Sequence, residues 1–487
     1  MKRRSPIIGL AATLVPILAA ILAAGGCAVG PDYKPPTPVA GAEAPLVSTS
    51  PTAETVAEPP DDWWRLYHDE TLDGLLQEAF TANTDLRVAA ANLTASRAVL
   101  SAVKSQRFPQ TQADVSATYG RDPATEEILE LTGRDPESIW LYEGVLEVAY
   151  EVDLLGRVRR SVEAARADTA AVIATRDAVK IAVAAETARA YAQVCALGEE
   201  LNVAHHSLDV VSREAEITNN RRAAGAGSEF DVVRAQELVA QVRASIPPLE
   251  GERRAAFFEL SAVLGRPPSK APAEVESCVL PPHLNDLIPV GDGASLLKRR
   301  PDVRQAERRL AGSTARIGIA TADLYPKIEL KGLIGGVSTE PDQFVTNKGI
   351  AWGLGPAISW TFPNQAGPRA RVRQAKAATV AALASFDAVV LQALKETEQA
   401  LALYRAELDH RQALSEAQNR AQKAFEIADG QFRAGAVSDL DLLTSEQQLI
   451  STDAAVAASD AALVQDQIAV FKALGGGWRN TETAAKR

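Results

Sequence analysis

The stretch DLRVAAANLTASRAVLSAVKSQRFP, from Asp85 to Pro109, decides the fold, because it returns without a gap as DVRQAERRLAGSTARIGIATADLYP, from Asp302 to Pro326. The offset is 302 − 85 = 217 residues, and Ala89, Leu93, Ser96 and Ala98 recur as Ala306, Leu310, Ser313 and Ala315. Further along, Gly156, Glu163 and Ala164 correspond to Gly367, Gln374 and Ala375, and Gly225, Ser228, Asp231 and Gly265 to Gly435, Ser438, Asp441 and Gly475. Self-similarity on this scale means two copies of one unit of about 200 residues. We place the first copy at 72–284 and the second at 285–478, with a short tail at 479–487.

Each copy reads as helix, strand, loop, strand, very long helix, tight turn, helix. Pro109 and Pro326 end the first helix of each copy, about 72–107 in the first, because a residue before proline is pushed out of the α region. Ala-rich sequence over about 157–222 and 368–432 predicts helices of roughly 100 Å at 1.5 Å per residue. Gly225 and Gly435 close them, and return helices follow over about 229–264 and 439–474. One long helix therefore matches two short ones laid end to end. The Pro-rich insert from Pro267 to Pro289, the N-terminal segment and the C-terminal tail would form a belt at the join.

The strands alternate with period two. In Ser138–Asp153 one face carries Trp140, Tyr142, Gly144, Leu146, Val148, Tyr150 and Val152, and the other carries Glu143, Glu147, Glu151 and Asp153 with Leu141, Val145 and Ala149. The second copy repeats the pattern with Trp352, Leu354, Pro356, Ile358, Trp360 and Phe362 on the apolar face. Their partners are Gln112–Gly120, with Ala113, Val115, Ala117 and Tyr119 outward, and Lys327–Val337, with Ile328, Leu330 and Ile334 outward. Each is close to the ~9–11 residues that span an outer membrane when tilted. Four strands cannot close a barrel, and an open edge in hydrocarbon leaves backbone groups unpaired, so the chain must oligomerise. Two, three or four copies satisfy that requirement.

The chain opens with Lys2, Arg3 and Arg4, then an apolar run from Ile7 to Ala24, which is a secretory signal over 1–26. Ala24-Gly25-Gly26-Cys27 resembles a bacterial lipobox, so Cys27 is the expected site of a diacylglycerol and fatty acyl modification. Ala28, in place of a retention Asp, favours the outer membrane. Segment 27–71 then holds the lipidated N-terminus and a Pro-, Ala- and Thr-rich stretch, Pro35–Pro60, that reads as an extended tether. After the signal we find no hydrophobic stretch approaching the ~18–20 residues of a membrane helix.

A net charge of −11 and a pI near 5.2 exclude a basic nucleic-acid footprint. Three cysteines and five histidines are too scattered for a zinc framework, and His205-His206 reads as a solvated helix face rather than a ligand pair. Beyond the acyl groups no cofactor and no metal is expected. Cys195 falls within a long helix and Cys278 in the Pro-rich insert, a separation that argues against a bond between them although an exported protein could form one. The sequence holds no nucleophile elbow, no HExxH and no paired carboxylates on a loop-bearing scaffold, so it is not read as an enzyme.

Cys27-Ala-Val-Gly-Pro-Asp-Tyr-Lys-Pro-Pro36, Trp63-Trp64-Arg-Leu-Tyr-His-Asp-Glu-Thr-Leu72, Arg300-Pro-Asp-Val-Arg-Gln-Ala-Glu307, Ile317-Gly-Ile-Ala320 and Tyr325-Pro326 together resemble the outer-membrane efflux lipoproteins of the OprM and NodT type, relatives of TolC. The resemblance implies a mainly α chain with a membrane β-barrel, twelve strands in a homotrimer, above a long periplasmic α-helical barrel. It implies efflux, with a periplasmic adaptor and an inner-membrane resistance-nodulation-division transporter as partners. A TolC-type duct for protein secretion is the alternative. By the same resemblance the turns holding Gly225, Ser228 and Asp231, and Gly435, Ser438, Asp439 and Asp441, are the aperture and the adaptor contact. Thr444 stands where some relatives carry a second acidic residue, so a double acidic ring is not expected. Ser-x-x-Asp is also a helix-capping pattern in its own right. Glu143, Glu147, Glu151 and Asp153 would line the water-facing side of the strands.

Overall fold

A computed structural model describes residues 28–50, 53–121, 138–284, 287–341 and 350–476. The signal segment, Cys27 and the tail at 479–487 lie outside the described residues. In chain order the helices are α1 (Glu70–Ala82), α2 (Thr84–Ser105), α3 (Arg157–Ala223), α4 (Glu229–Val263), α5 (Gly293–Arg299), α6 (Pro301–Ala322), α7 (Ala366–Arg433) and α8 (Asp439–Ala473). The long strands are β1 (Gln110–Gly120), β2 (Ile139–Glu151), β3 (Lys327–Ser338) and β4 (Ile350–Ser359). Contacts divide the chain into two units, one of Met1–Pro36, Thr94–Ala171 and Glu307–Ser385, the other of Thr37–Leu93, Val172–Ala306 and Phe386–Arg487.

The first unit holds one antiparallel sheet in the order β1-β2-β3-β4. Its register puts the apolar alternate residues in rows. Tyr119 stands opposite Trp140, Leu146 opposite Ile334 and Ile334 opposite Trp352; Tyr150 faces Leu330, which faces Pro356. Glu143 and Glu147 fall in the other set, opposite Ser116 and Gln112. Trp360 and Phe362, read above as strand residues, lie past the end of β4; they stack on each other at 4.8 Å, and Trp360 Nε1 donates to Leu324 O. The proline after Phe362 has no N–H to continue a ladder.

The N-terminal segment is docked on this unit. Val29 N donates to Leu155 O at 3.0 Å, and Arg160 donates to Asp32 Oδ1 at 2.7 Å and to Glu163 Oε2 at 2.8 Å. Gly30 and Gly318 touch so closely that a Cβ on Gly30 would lie 2.5 Å from Gly318 Cα, and Tyr33 donates to Glu307 at 2.9 Å. Three of the sequence motifs thus meet in one place.

The second unit holds the main core. Trp63 is fully buried and stacks on Phe471 at 4.8 Å, with Leu72, Leu76, Leu260, Leu401 and Leu474 around it. Three expectations are corrected here. The helix read as continuous over 72–107 is two helices, because Asn83 is extended (ψ 133°) and its Oδ1 accepts from Asp85 N and Leu86 N. Arg300 makes the equivalent break between α5 and α6, ahead of Pro301. The Pro35–Pro60 tether is packed from Ala42 onward. Ala42 and Leu46 are buried, Glu54–Thr55 pairs in parallel with Ile288–Pro289, and Glu398 accepts from Val47 N and Ser48 N. Finally, Cys195 and Cys278 form a disulfide, with Cα atoms 4.8 Å apart. The insert folds back over α3, and Arg253 fastens it by donating to Glu276 O and Cys278 O.

One stretch is also more apolar than the sequence reading allowed. A window within α7 reaches a mean hydropathy of 1.7 and is long and apolar enough to cross a membrane. It belongs to a helix of 68 residues on which Val380, Leu383, Leu391 and Leu403 are exposed.

Candidate functional site

On the polar face of the sheet the four carboxylates singled out above divide. Glu143 accepts from Ser116 Oγ at 3.4 Å. Glu151 is held by a bidentate Arg157 and lies 3.4 Å from Lys327 Nζ. Its charge is matched locally. Asp153 lies beyond the end of β2 and is not a strand residue; it accepts from Val158 N and Arg159 N, satisfying two of the first N–H groups of α3. Glu143, Glu147 and Glu151 thus lie on β2 in one alternate set, and of the four only Asp153 leaves it. Glu329, flanked by Lys327 and Lys331, joins them on that face.

The helical turns are built alike. Gly225 (φ +76°) and Gly435 (φ +71°) take the left-handed conformation that ends α3 and α7, with Ala226 N bonded to Arg221 O and Ala436 N to Gln431 O. Ser228 and Ser438 start the return helices with full capping boxes. Asp231 N donates to Ser228 Oγ at 3.1 Å and Ser228 N to Asp231 Oδ2 at 3.0 Å; the second turn repeats this at 3.2 and 3.1 Å. The Ser hydroxyl and N–H hold both carboxyls below the usual Asp range. Both stay charged, Asp441 exposed and Asp231 partly buried.

Asp439 differs from the two capping aspartates. It is half-buried and turned toward Thr218 of α3, whose hydroxyl lies 3.4 Å away, and burial with Asp231 nearby pushes its carboxyl up. The two turns are further tied by Arg221, which lies over the Phe432 ring at 4.2 Å. Sequence reading missed two carboxylates in this region, Glu214 and Glu446. The signal was present for Glu446, which shares a helix face with Leu442, Leu443 and Ile450 at three- and four-residue spacing.

A sheet apolar on one set of faces and charged on the other, carried by a duplicated chain of very long helices with capped turns, defines an outer-membrane duct. The family described as outer membrane efflux protein matches residues 75–266 and 294–476, and the chain belongs to it. It is 26% identical over 486 residues to nodulation protein T of Rhizobium leguminosarum bv. viciae, covering 98% of this chain and 95% of that one. It is 28% identical over 461 residues to the probable efflux pump outer membrane protein TtgC of Pseudomonas putida, covering 93% of each. Among solved structures, the outer-membrane channel OprN superposes with a TM-score of 0.85 at 34% identity, over 93% of this chain and all of that one. The chain is an outer-membrane exit channel for efflux.

Proposed function

We propose that three copies of this chain close a twelve-stranded barrel, and that the turns at Gly225–Asp231 and Gly435–Asp441 form its periplasmic aperture. There they meet a periplasmic adaptor that couples the duct to an inner-membrane resistance-nodulation-division transporter. The observation that carries the reading is the sheet order: β1 and β4 are its two edges, and an edge with unpaired N–H and C=O groups is not tolerated in hydrocarbon. Pairing β1 of one copy with β4 of the next removes every edge. The exposed Val380, Leu383 and Leu391, which share one side of α7, supply an apolar face for a second copy along the helices. Relatives named for antibiotic, toluene and solvent efflux favour small molecules over secreted proteins as cargo. No catalytic group is called upon.

Cys27, acylated, anchors the duct in the same membrane. The next residue, Ala28, sits against Gly156, which lies past the end of β2. Native mass spectrometry of the detergent-purified protein tests the assembly. Three chains, each with a lipidated Cys27, are expected; a monomer or a dimer would overturn the barrel.

A further inference from the structure

The N-terminal half of α8 carries a carboxylate in its buried row. Glu446 is 2% exposed, and its Oε2 has no hydrogen-bond partner. Glu214 Oε1 on α3 and Asp439 Oδ2 on α8 are also buried without a partner, and Glu446 faces both residues. Leu443, one turn away, packs with Val211 of α3 and with Leu238 and Val242 of α4. The three acids therefore lie in the seam where the two helical hairpins meet. The first hairpin's equivalent of Glu446, 210 residues earlier, is Gln236, so the feature belongs to one hairpin only.

Every packed element contributes charge around this seam: Glu214 and Arg221 from α3, Asp231 and Arg234 from α4, Asp429 and Arg433 from α7, and Asp439 from α8. The cations are engaged elsewhere. Arg221 lies over Phe432, Arg234 over Phe230, and Arg433 pairs with Asp429 at 2.8 Å. A buried carboxylate facing two others without a cation bonded to it has one small ligand that relieves it, a proton.

We propose that Glu446, Glu214 and Asp439 form a proton-binding site that latches the two hairpins together when occupied and loosens them when emptied. The proposal rests on reading the hairpin turns as the aperture. Burial and the two neighbouring acids push Glu446 up to about 7, and Glu214 and Asp439 also move upward. With the seam open, each would ionise in the ordinary carboxylate range near pH 4. The closed seam therefore loses its advantage as pH rises from that range to about 7, and the loss then levels off. The capping aspartates, held low, stay ionised throughout.

Single-channel conductance in planar bilayers, followed from about pH 5 to about pH 8, reads the latch across this window. Wild type should conduct more as pH rises and reach a plateau above about 7, whereas Glu446→Gln should hold the low conductance throughout. Glu214→Gln should reach the plateau at lower pH, because losing a negative neighbour eases ionisation of Glu446. Thermal melting of the purified protein reads the seam without conduction: the gap between Glu446→Gln and wild type should widen from about pH 5 to about 7 and then stay constant. A variant with the wild-type conductance profile, or a gap independent of pH, would overturn the latch. A wild type that forms no pore at any pH would overturn the channel reading instead, and the melting comparison would still decide the latch.

Discussion

Asn83 donates its side-chain amide to Val263 O at 2.8 Å, joining the end of α4 to the start of α2. Arg300, 217 residues later, does the same for Ala473 O at 2.9 Å, and Ala473 follows Val263 by 210 residues. Different side chains thus serve one architectural need, the end-to-end join of two short helices beside a long one. At each join the chain leaves the return helix, α4 or α8, through a left-handed glycine, Gly265 or Gly475. A Cβ on Gly265 would lie 2.7 Å from Ala82 O.

Removing either joint should destabilise the protein unequally. Asn83→Ala strips the cap from α2 and one acceptor's partner, a loss of about 1–2 kcal/mol. Arg300→Ala leaves Asp302, Glu396 and a buried carbonyl without their cation, on the order of 3 kcal/mol. Melting temperatures of the two variants should fall in that order.

The Cys195–Cys278 disulfide closes a loop of 83 residues, which in the chain-entropy account stabilises by about 4–5 kcal/mol. Thiol titration of the denatured, unreduced protein should find neither cysteine free. Reduction, or Cys278→Ser, should lower the melting temperature and expose the insert at 267–284 to protease.

At the aperture, three copies each of Asp231 and Asp441 would form a ring that favours cations. Asp441→Ala should lower cation preference in bilayers under a salt gradient, whereas Ser438→Ala, losing a cap worth about 1 kcal/mol, should chiefly loosen the turn. The pH dependence has a definite sign. Because both carboxyls sit below their ordinary range, the caps stabilise above the unfolded value near 3.9 and fail as pH falls through the lower folded one. Amide exchange at 226–231 and 436–441, corrected for its intrinsic rate, should lose protection only in strong acid.

Gly156 is at φ +76°, and a Cβ there would lie 2.6 Å from Ala28 Cβ. Gly156→Val should therefore displace the segment at 28–34 and make it cleavable by protease, while mass spectrometry still finds Cys27 acylated. An unmodified N-terminus in the wild type would remove the anchor.

What the sequence determined by itself was everything governed by short-range rules. Side-chain alternation set which strand residues share a face, because the pleat has period two. Glycine, serine and aspartate at 225–231 and 435–441 wrote their turns in full, since a left-handed residue and a capping box need only neighbours in the chain. The repeat itself, and the motifs from Cys27 to Pro326, named the family without any coordinates.

The tertiary structure decided whatever depended on a distant partner. Asp153 looked like another strand carboxylate until the start of α3 arrived to take its hydrogen bonds, and Glu151, still on β2, has its charge matched by Arg157 and Lys327. Asp439 sits two residues from Asp441 in an exposed-looking turn, yet Thr218 of another helix draws it inward. The Pro-rich segment read as a tether because its composition offers no period, and it packs because Phe386, Val390 and Leu297 leave a place for Ala42. Cys195 and Cys278 meet only because the insert folds back over α3. Spacing along α8 puts Glu446 in a buried row, but that Glu214 of α3 faces it there is something one helix cannot report.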